Sequence, residues 1–376
     1  AQRLRVQMRD VDTIARLGGD EFAILVEDLP DAAAVNALST RIGHALRAPF
    51  AIEGREVRVT ASVGVALASP STDCEELLRN ADTAMYVAKS RGRDATVLFE
   101  DEMHEDARAS LELQHDLRAA IERGEILVHH QPIVRLADGA IAGFEALARW
   151  THATRGEIPP SRFIPLAEST GLIVPLGRSI LARAMRELRA ADGRHRASSP
   201  PMLFVNVSAP QFEDEDFVPW LRAEVVQADF DPRRLCIELT ESLFVHRTDK
   251  AQAPLDELRA LGMKIGIDDF GTGYSSLSYL HRLPLDVLKI PREFVERLGG
   301  DREDSILAQS IVALATAMNL RTIGEGIESV EQLRALRELG CELGQGYLLA
   351  RPGPIAEALH AEDAIRRAFD GAFVAR

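Results

Sequence analysis

The chain has 376 residues, 46% hydrophobic and 27% charged, enough for about two packed cores and too apolar for extensive disorder. Its net charge of −14, with no basic stretch to offset it, argues against a DNA or RNA polymer as partner. No apolar run reaches about 18 residues and no signal-like start is present, so this segment reads as neither membrane-spanning nor exported, although a longer parent chain could carry an anchor elsewhere.

Residues 1–100 read in order as strand (TIARL), tight turn (GGDE), strand (FAILVED), helix (DAAAVNALSTRIGHAL), strand (VRVTASVGVAL), helix (CEELLRNADTAMYVAKSRG) and a short last strand (TVLF). This is a small α+β unit with too few strands to cover both helices, so its beginning is expected to lie upstream. Residues 101–123 are charged and helical in period, a rigid connector ending at Gly124. Cys74, Cys236 and Cys341 are odd in number and lack CxxC spacing, which fits buried, reduced structural thiols in a cytoplasmic protein.

From residue 125 the pattern becomes ILVHHQPIV, AIAGFEALARW, MLFVNVS, RLCIELT, MKIGIDD, DVLKI, LRTIGEG and CELGQGYLL, separated mostly by helices. Eight strands alternating with helices over about 250 residues predict a closed α/β barrel of the (β/α)8 type. The first two strands are joined only by RLADGA, and an Asp138-Gly139 turn that short makes an antiparallel hairpin. The first strand should therefore run against the others.

Each later strand carries a polar residue that interrupts an apolar run: Glu145, Asn206, Glu238, Asp268 with Asp269, Lys289, Glu325 and Gln345. One such residue usually marks a satisfied core group; seven strands each carrying one point to a site at the strand ends. Carboxylates and an amide without Cys or His select a hard cation, and two divalent ions would explain how Asp268 and Asp269 tolerate each other. Such ions bind both water and a phosphoryl oxygen, so phosphodiester hydrolysis follows. Glu145, Leu147 and Arg149 share a strand face, which places a guanidinium toward the mouth. Gly271 and Gly273 allow a sharp, mobile loop after the aspartates. His129 and His130 are adjacent on a strand, so they face opposite ways and read as packing residues.

FEALARW (144–150), NVS (206–208), ELTES (238–242), IDDFGTGYSSL (267–277), EGIE (325–328) and QGY (345–347) occur in that order, and together they resemble the EAL family of cyclic di-GMP phosphodiesterases. The likeness spans residues 111 to about 360, and the barrel domain is placed at 111–376. It implies hydrolysis of cyclic di-GMP to pGpG with Mg2+ or Mn2+, two ions held by Glu145, Asn206, Glu238, Asp268 and Asp269. It further implies Glu325 as general base or second-metal ligand, Lys289 holding the nucleophilic water, and Glu241 bracing the loop after Asp269. Gln131, Arg149, Glu328 and Gln345 look like substrate contacts, with Asp269 beside them. His130 stands where this family commonly has Tyr before Gln-Pro. A homodimer is expected by resemblance. One position departs from the pattern: active members usually read KID, and this chain reads KIP, with Pro291 on the Lys289 face where an acid is expected.

The N-terminal segment resembles the latter part of a GGDEF diguanylate cyclase domain through RLGGDEF (16–22), VTASVG (59–64) and ADTAMYVAKSRGRD (81–94). The likeness implies Gly18 and Gly19 approaching GTP, Asp20 on a metal, Glu21 in support, and Lys89 and Arg93 on phosphates. Arg9 and Asp12 form an RxxD at the offset of that family's inhibitory product site. The family's first half is absent, so cyclase activity by these residues alone is not expected. Two alternatives stand beside the phosphodiesterase reading: a catalytically impaired cyclic di-GMP receptor, on the strength of Pro291, and a bifunctional cyclase and phosphodiesterase if the upstream part exists.

Overall fold

The computed structural model describes residues 1–29, 32–52, 55–57, 59–69, 72–90, 94–192, 200–272, 280, 283–298 and 305–373. The chain divides into two compact units, Ala1–Leu117 and Arg118–Arg376.

In the first unit β1 (Thr13–Gly18) and β2 (Glu21–Leu25) form an antiparallel hairpin whose turn is Gly18-Gly19-Asp20-Glu21. Gly19 takes φ +47°, a conformation that glycine reaches without steric cost, which is why the turn can be this tight. The run VRVTASVGVAL, expected as one strand, is broken. Its first part contributes to β4 (Arg55–Val57), paired with β3 (Phe50–Ile52), and a later part forms β5 (Val63–Val65), parallel to β6 (Thr96–Leu98). Gly64 is required in β5 because a Cβ there would run into the backbone of Ala81 and Met85 on the helix Cys74–Ser90. That close approach lets Ala84, Val87 and Ala88 bury against Val97 and Met103. Cys74 is exposed, contrary to expectation, because it is the first residue of that helix, whereas Cys236 and Cys341 are buried.

The second unit is the barrel. Eight strands close on themselves in the order β7 (Ile126–Arg135), β8 (Ile141–His152), β10 (Met202–Asn206), β11 (Leu235–Thr240), β12 (Lys264–Asp268), β13 (Val287–Ile290), β14 (Arg321–Gly324) and β15 (Leu343–Gly344). A short β9 (Gly156–Ile158) extends the end of β8. The barrel strands β8 and β10 to β15 run parallel, while β7 is antiparallel to both its neighbours, as the RLADGA hairpin predicts, and the short β9 is antiparallel to β8.

Side-chain alternation arranges the barrel interior in two storeys. Ile133, Phe204, Cys236, Val287, Ile323 and Leu343 form one buried apolar cluster. Each lies two residues from a polar residue of the site: Gln131, Asn206, Glu238, Lys289, Glu325 and Gln345. The pleat therefore stacks a polar ring on an apolar floor. The two remaining strands carry glycine at floor level, Gly143 below Glu145 and Gly266 below Asp268. A Cβ on Gly143 would strike the Phe204 ring and the Met202 carbonyl, so the absent side chain makes room for a fully buried phenylalanine. Burying that ring contributes roughly 2–3 kcal/mol.

Candidate functional site: an acidic ring closed on a lysine

The ring residues come from the carboxyl half or the carboxyl end of the parallel strands, except Glu145, the fifth residue of the long β8. Glu145 and Glu238 lie within β8 and β11, Asn206 and Asp268 end β10 and β12, and Lys289 lies in β13. Asp269, Glu325 and Gln345 fall one residue past their strands rather than inside them. Backbone pairing still fixes the latter two, since Glu325 N–H donates to Ile290 O at 3.1 Å and Gln345 N–H to Gly324 O at 2.9 Å.

At the centre sits Lys289, 1% exposed. Its Nζ lies 2.6 Å from Glu325, 3.2 Å from Glu238, 3.4 Å from Asp268 and 3.5 Å from Glu145. Asn206 donates to Glu145 Oε1 at 2.6 Å. Gln345 Nε2 donates both to Glu145 Oε2 and, at 2.8 Å, to Gln131 Oε1, so the reversed strand delivers Gln131 directly beside the ring. The sequence expectation had Asp268 and Asp269 neutralised by added cations alone; the ring instead contains its own ammonium.

Burial decides the electrostatics. It pushes the Glu238 carboxyl well above its ordinary range; Lys289 opposes the shift, and Glu145, Asp268 and Glu325 add to it. Glu325 is raised to about 7 by burial, against the pull of Lys289. Asp269 is raised by burial and then by Asp268. Burial works against the Lys289 charge, but Asp268, Glu145, Glu238 and Glu325 outweigh it and hold the ammonium firmly protonated.

The donor set fits divalent metal. Glu145, Glu238, Asp268, Asp269 and Glu325 against one lysine leave four negative charges when all are ionised, the charge that two divalent ions balance. Asp268, Asp269 and Glu325 offer oxygens within 4.8 Å of one another. Glu238 Oε1 and Gln345 Oε1 are buried without a hydrogen-bond partner, acceptors of the kind a hard cation or its water satisfies.

Asp269 takes φ +53° and is exposed, where Asp268 is half-buried. Its amide donates to Asp268 Oδ1 at 2.9 Å, and two residues on, Gly271 N–H donates to the buried Glu241 at 2.8 Å. Glu241 thus ties the start of the loop that follows Asp269, while Gly273 lies outside the described residues. Gln131, Leu147, Arg149, Glu157, Pro159, Pro160, Tyr347 and Pro352 line a cleft of about 540 Å³ at the mouth. A larger cleft of about 690 Å³ includes Phe230, Arg234 and Met263, near the opposite ends of β11 and β12, where barrels carry stability rather than chemistry.

Glu328 lies beyond the ring, its Oε1 3.1 Å from Arg292 Nη2. Pro291 is buried and caps the short helix Arg292–Val295, offering no ligand atom. Arg292 was not singled out in the sequence: it belongs to no periodic face, and only its place beside the KIP departure hinted at it. Among the described residues, His129 and His130 belong to no cluster of metal donors. The His130 ring is fully buried edge-on to Phe144, with neither nitrogen hydrogen-bonded.

In the N-terminal unit Gly18, Gly19, Asp20 and Glu21 are exposed on the hairpin turn and Lys89 is exposed near its helix end; Arg93 lies outside the described residues. Arg9 and Asp12 close one turn, in which the Arg9 amide donates to Asp12 Oδ2 at 2.7 Å.

Comparison with known proteins agrees with this geometry. The EAL domain family matches residues 114–352, and the family described as diguanylate cyclase, GGDEF domain, matches residues 1–95. The bifunctional diguanylate cyclase/cyclic di-GMP phosphodiesterase MucR of Pseudomonas aeruginosa is 43% identical over 361 residues, 96% of this chain and 52% of that protein. The cyclic di-GMP phosphodiesterase NbdA of the same organism is 40% identical over 95% of this chain and 45% of its own. This chain thus spans about half the length of those relatives. Among solved structures, the PaMucR phosphodiesterase in its c-di-GMP complex superposes with a TM-score of 0.62 at 42% identity, covering 65% of this chain and 99% of that one. The EAL enzyme Bd1971 in its cAMP-bound form gives 0.64 at 31% identity, over 77% of this chain and 76% of that one. With a family match over most of its length and the ring at the strand ends, the chain belongs to the EAL domain family and carries a GGDEF-family segment ahead of its barrel.

Proposed function

We propose that the barrel hydrolyses cyclic di-GMP to linear pGpG with Mg2+ or Mn2+. The observation that carries this reading is the convergence of Glu145, Asn206, Glu238, Asp268, Asp269 and Glu325 around Lys289 above an apolar floor. Relatives named as phosphodiesterases of this dinucleotide support it. Glu145, Asn206, Glu238, Asp268 and Asp269 would hold the ions, which when bound activate water and neutralise phosphate charge. Glu325, with its carboxyl raised to about 7, suits the general base, since its conjugate base has useful strength near neutral pH. Lys289 can donate a hydrogen bond to the attacking water. Gln131, Arg149, Glu328 and Gln345 would grip the dinucleotide, with the Arg149 guanidinium suited to a phosphate. Glu241 keeps Asp269 in register through Gly271.

Incubation with cyclic di-GMP and Mn2+, followed by chromatography, should yield pGpG, and EDTA should abolish it. A chain that binds the dinucleotide tightly without turnover would replace this reading with a receptor. Pro291 favours that second reading, because it puts no ligand atom where the family resemblance leads one to expect an acid. Pro291→Asp separates the two: turnover that rises at constant affinity marks a native site short of a metal ligand. We further propose a cytoplasmic setting, a homodimer testable by sedimentation, and a regulatory role for the GGDEF-family segment. GTP binding and cyclase activity there would need the rest of such a domain.

A further inference from the structure

Arg292 follows Pro291 at the point where β13 gives way to the helix Arg292–Val295. Pro291 is fixed at φ −57° and ψ 148°, and its carbonyl accepts from Phe294 and Val295 N–H, so the chain turns out of the strand in one defined direction. The Arg292 stem then lies against Gly326, where any Cβ would overlap its methylenes. Its guanidinium reaches Glu328 Oε1 at 3.1 Å and also bonds Glu296.

The Glu328 main chain is anchored by hydrogen bonds. Its amide donates to Gln332 Oε1 at 2.7 Å, inside the capping box that starts the helix Val330–Glu338, and the preceding Ile327 amide donates to Gln345 O at 3.0 Å. What remains free to turn is the side chain, and Arg292 holds it. A half-exposed ion pair contributes little to folding, so this contact matters through where it aims the carboxylate.

We propose that Arg292 is a positioning residue for base selection: it fixes the Glu328 carboxylate at the barrel mouth so that it accepts the paired N–H donors on a guanine edge. Guanine offers N1–H and its amino group side by side. Adenine offers an amino donor next to a lone pair, which a carboxylate repels. An oriented carboxylate therefore discriminates between the bases, and a freely rotating one does so less well. The inference rests on the cyclic di-GMP reading above.

The test is calorimetric titration of the full chain with cyclic di-GMP and with cyclic di-AMP in Mg2+, in a Glu325→Gln background that stops turnover. Arg292→Ala should weaken cyclic di-GMP binding about tenfold and leave cyclic di-AMP unchanged, narrowing the preference by that factor. Arg292→Lys should recover part of it. Adding Arg292→Ala to Glu328→Gln should cost nothing beyond Glu328→Gln alone. Unchanged affinity, an equal loss for both dinucleotides (a phosphate contact) or additive losses in the double variant would overturn the proposal. A parent protein that binds neither dinucleotide would overturn the cyclic di-GMP reading itself and this proposal with it.

Discussion

Lys289 Nζ stands 2.6 Å from Glu325 Oε1 and within 3.5 Å of three further carboxylates, of which Glu238 and Glu145 are buried and Asp268, like Glu325, is partly exposed. Removing the ammonium strands these charges. Lys289→Met should destabilise the ion-free protein by about 3–5 kcal/mol, the cost of an unpaired buried charge. Urea unfolding in EDTA reads the loss, and Mg2+ should restore much of it. An unaltered midpoint would mean that Lys289 does not neutralise the ring.

Glu325 links the ring to pH. Its folded carboxyl titrates near 7 against 4.5 for the ordinary group, so the folded state binds its proton more tightly. The stability this contributes is complete below pH 4.5 and is lost as pH rises toward 7, by at most ~1.4 kcal/mol per unit. Urea midpoints in EDTA across that window should show the slope, and Glu325→Gln should remove it. Divalent ions should suppress it by favouring the ionised form.

His130 acts with the opposite sign. Burial, helped by His129, lowers its imidazole to about 4 from 6.5. The neutral ring must acquire a proton in the unfolded chain first, so stability drains away as pH falls from 6.5 to 4. Between 4.5 and 6.5 this opposes the Glu325 effect, so only single variants expose either. His130→Phe should stabilise the protein at pH 5 relative to pH 8, as differential scanning calorimetry can measure, because it removes the titrating ring, whose Nδ1 has only the Glu187 carboxylate 3.8 Å away and whose nitrogens make no hydrogen bond.

Gly143 joins the floor to the ring. Gly143→Ala should cost about 1–3 kcal/mol by pressing on Phe204. Glu145 lies two residues along the same strand face, so turnover should fall further than thermal stability alone implies. Kinetics below the melting transition test this; full activity there would show the two storeys to be independent.

Much of this was legible because it is local or periodic. Asp138-Gly139 announced the reversed first strand through turn length, and period-two alternation placed Arg149 on the cleft side of Glu145. Other features depend on contacts between distant segments. Nothing near Lys289 in the chain shows that four carboxylates, from β8, β11, β12 and the residue after β14, enclose it. The VRVTASVGVAL run has strand composition throughout, yet only Gly64 can approach the helix Cys74–Ser90 closely enough to pair there. Cys74 looked buried by residue type, but a helix start placed it in solvent. Arg292 gave no signal beyond its place next to Pro291, because its partner Glu328 is 36 positions away and neither interrupts an apolar run.

The reversed stave changes where the barrel can be reached. Ile126 opens β7 opposite Trp150, at the rim that carries the polar ring, and the strand descends past Gln131 to Arg135 at the base. In a uniformly parallel barrel the entering polypeptide would arrive at the base, remote from chemistry. Here the backbone enters beside the mouth, and Gln131, seven residues after Gly124, accepts a hydrogen bond from Gln345 at 2.8 Å, so the doorway for the polypeptide and the polar ring share one stave.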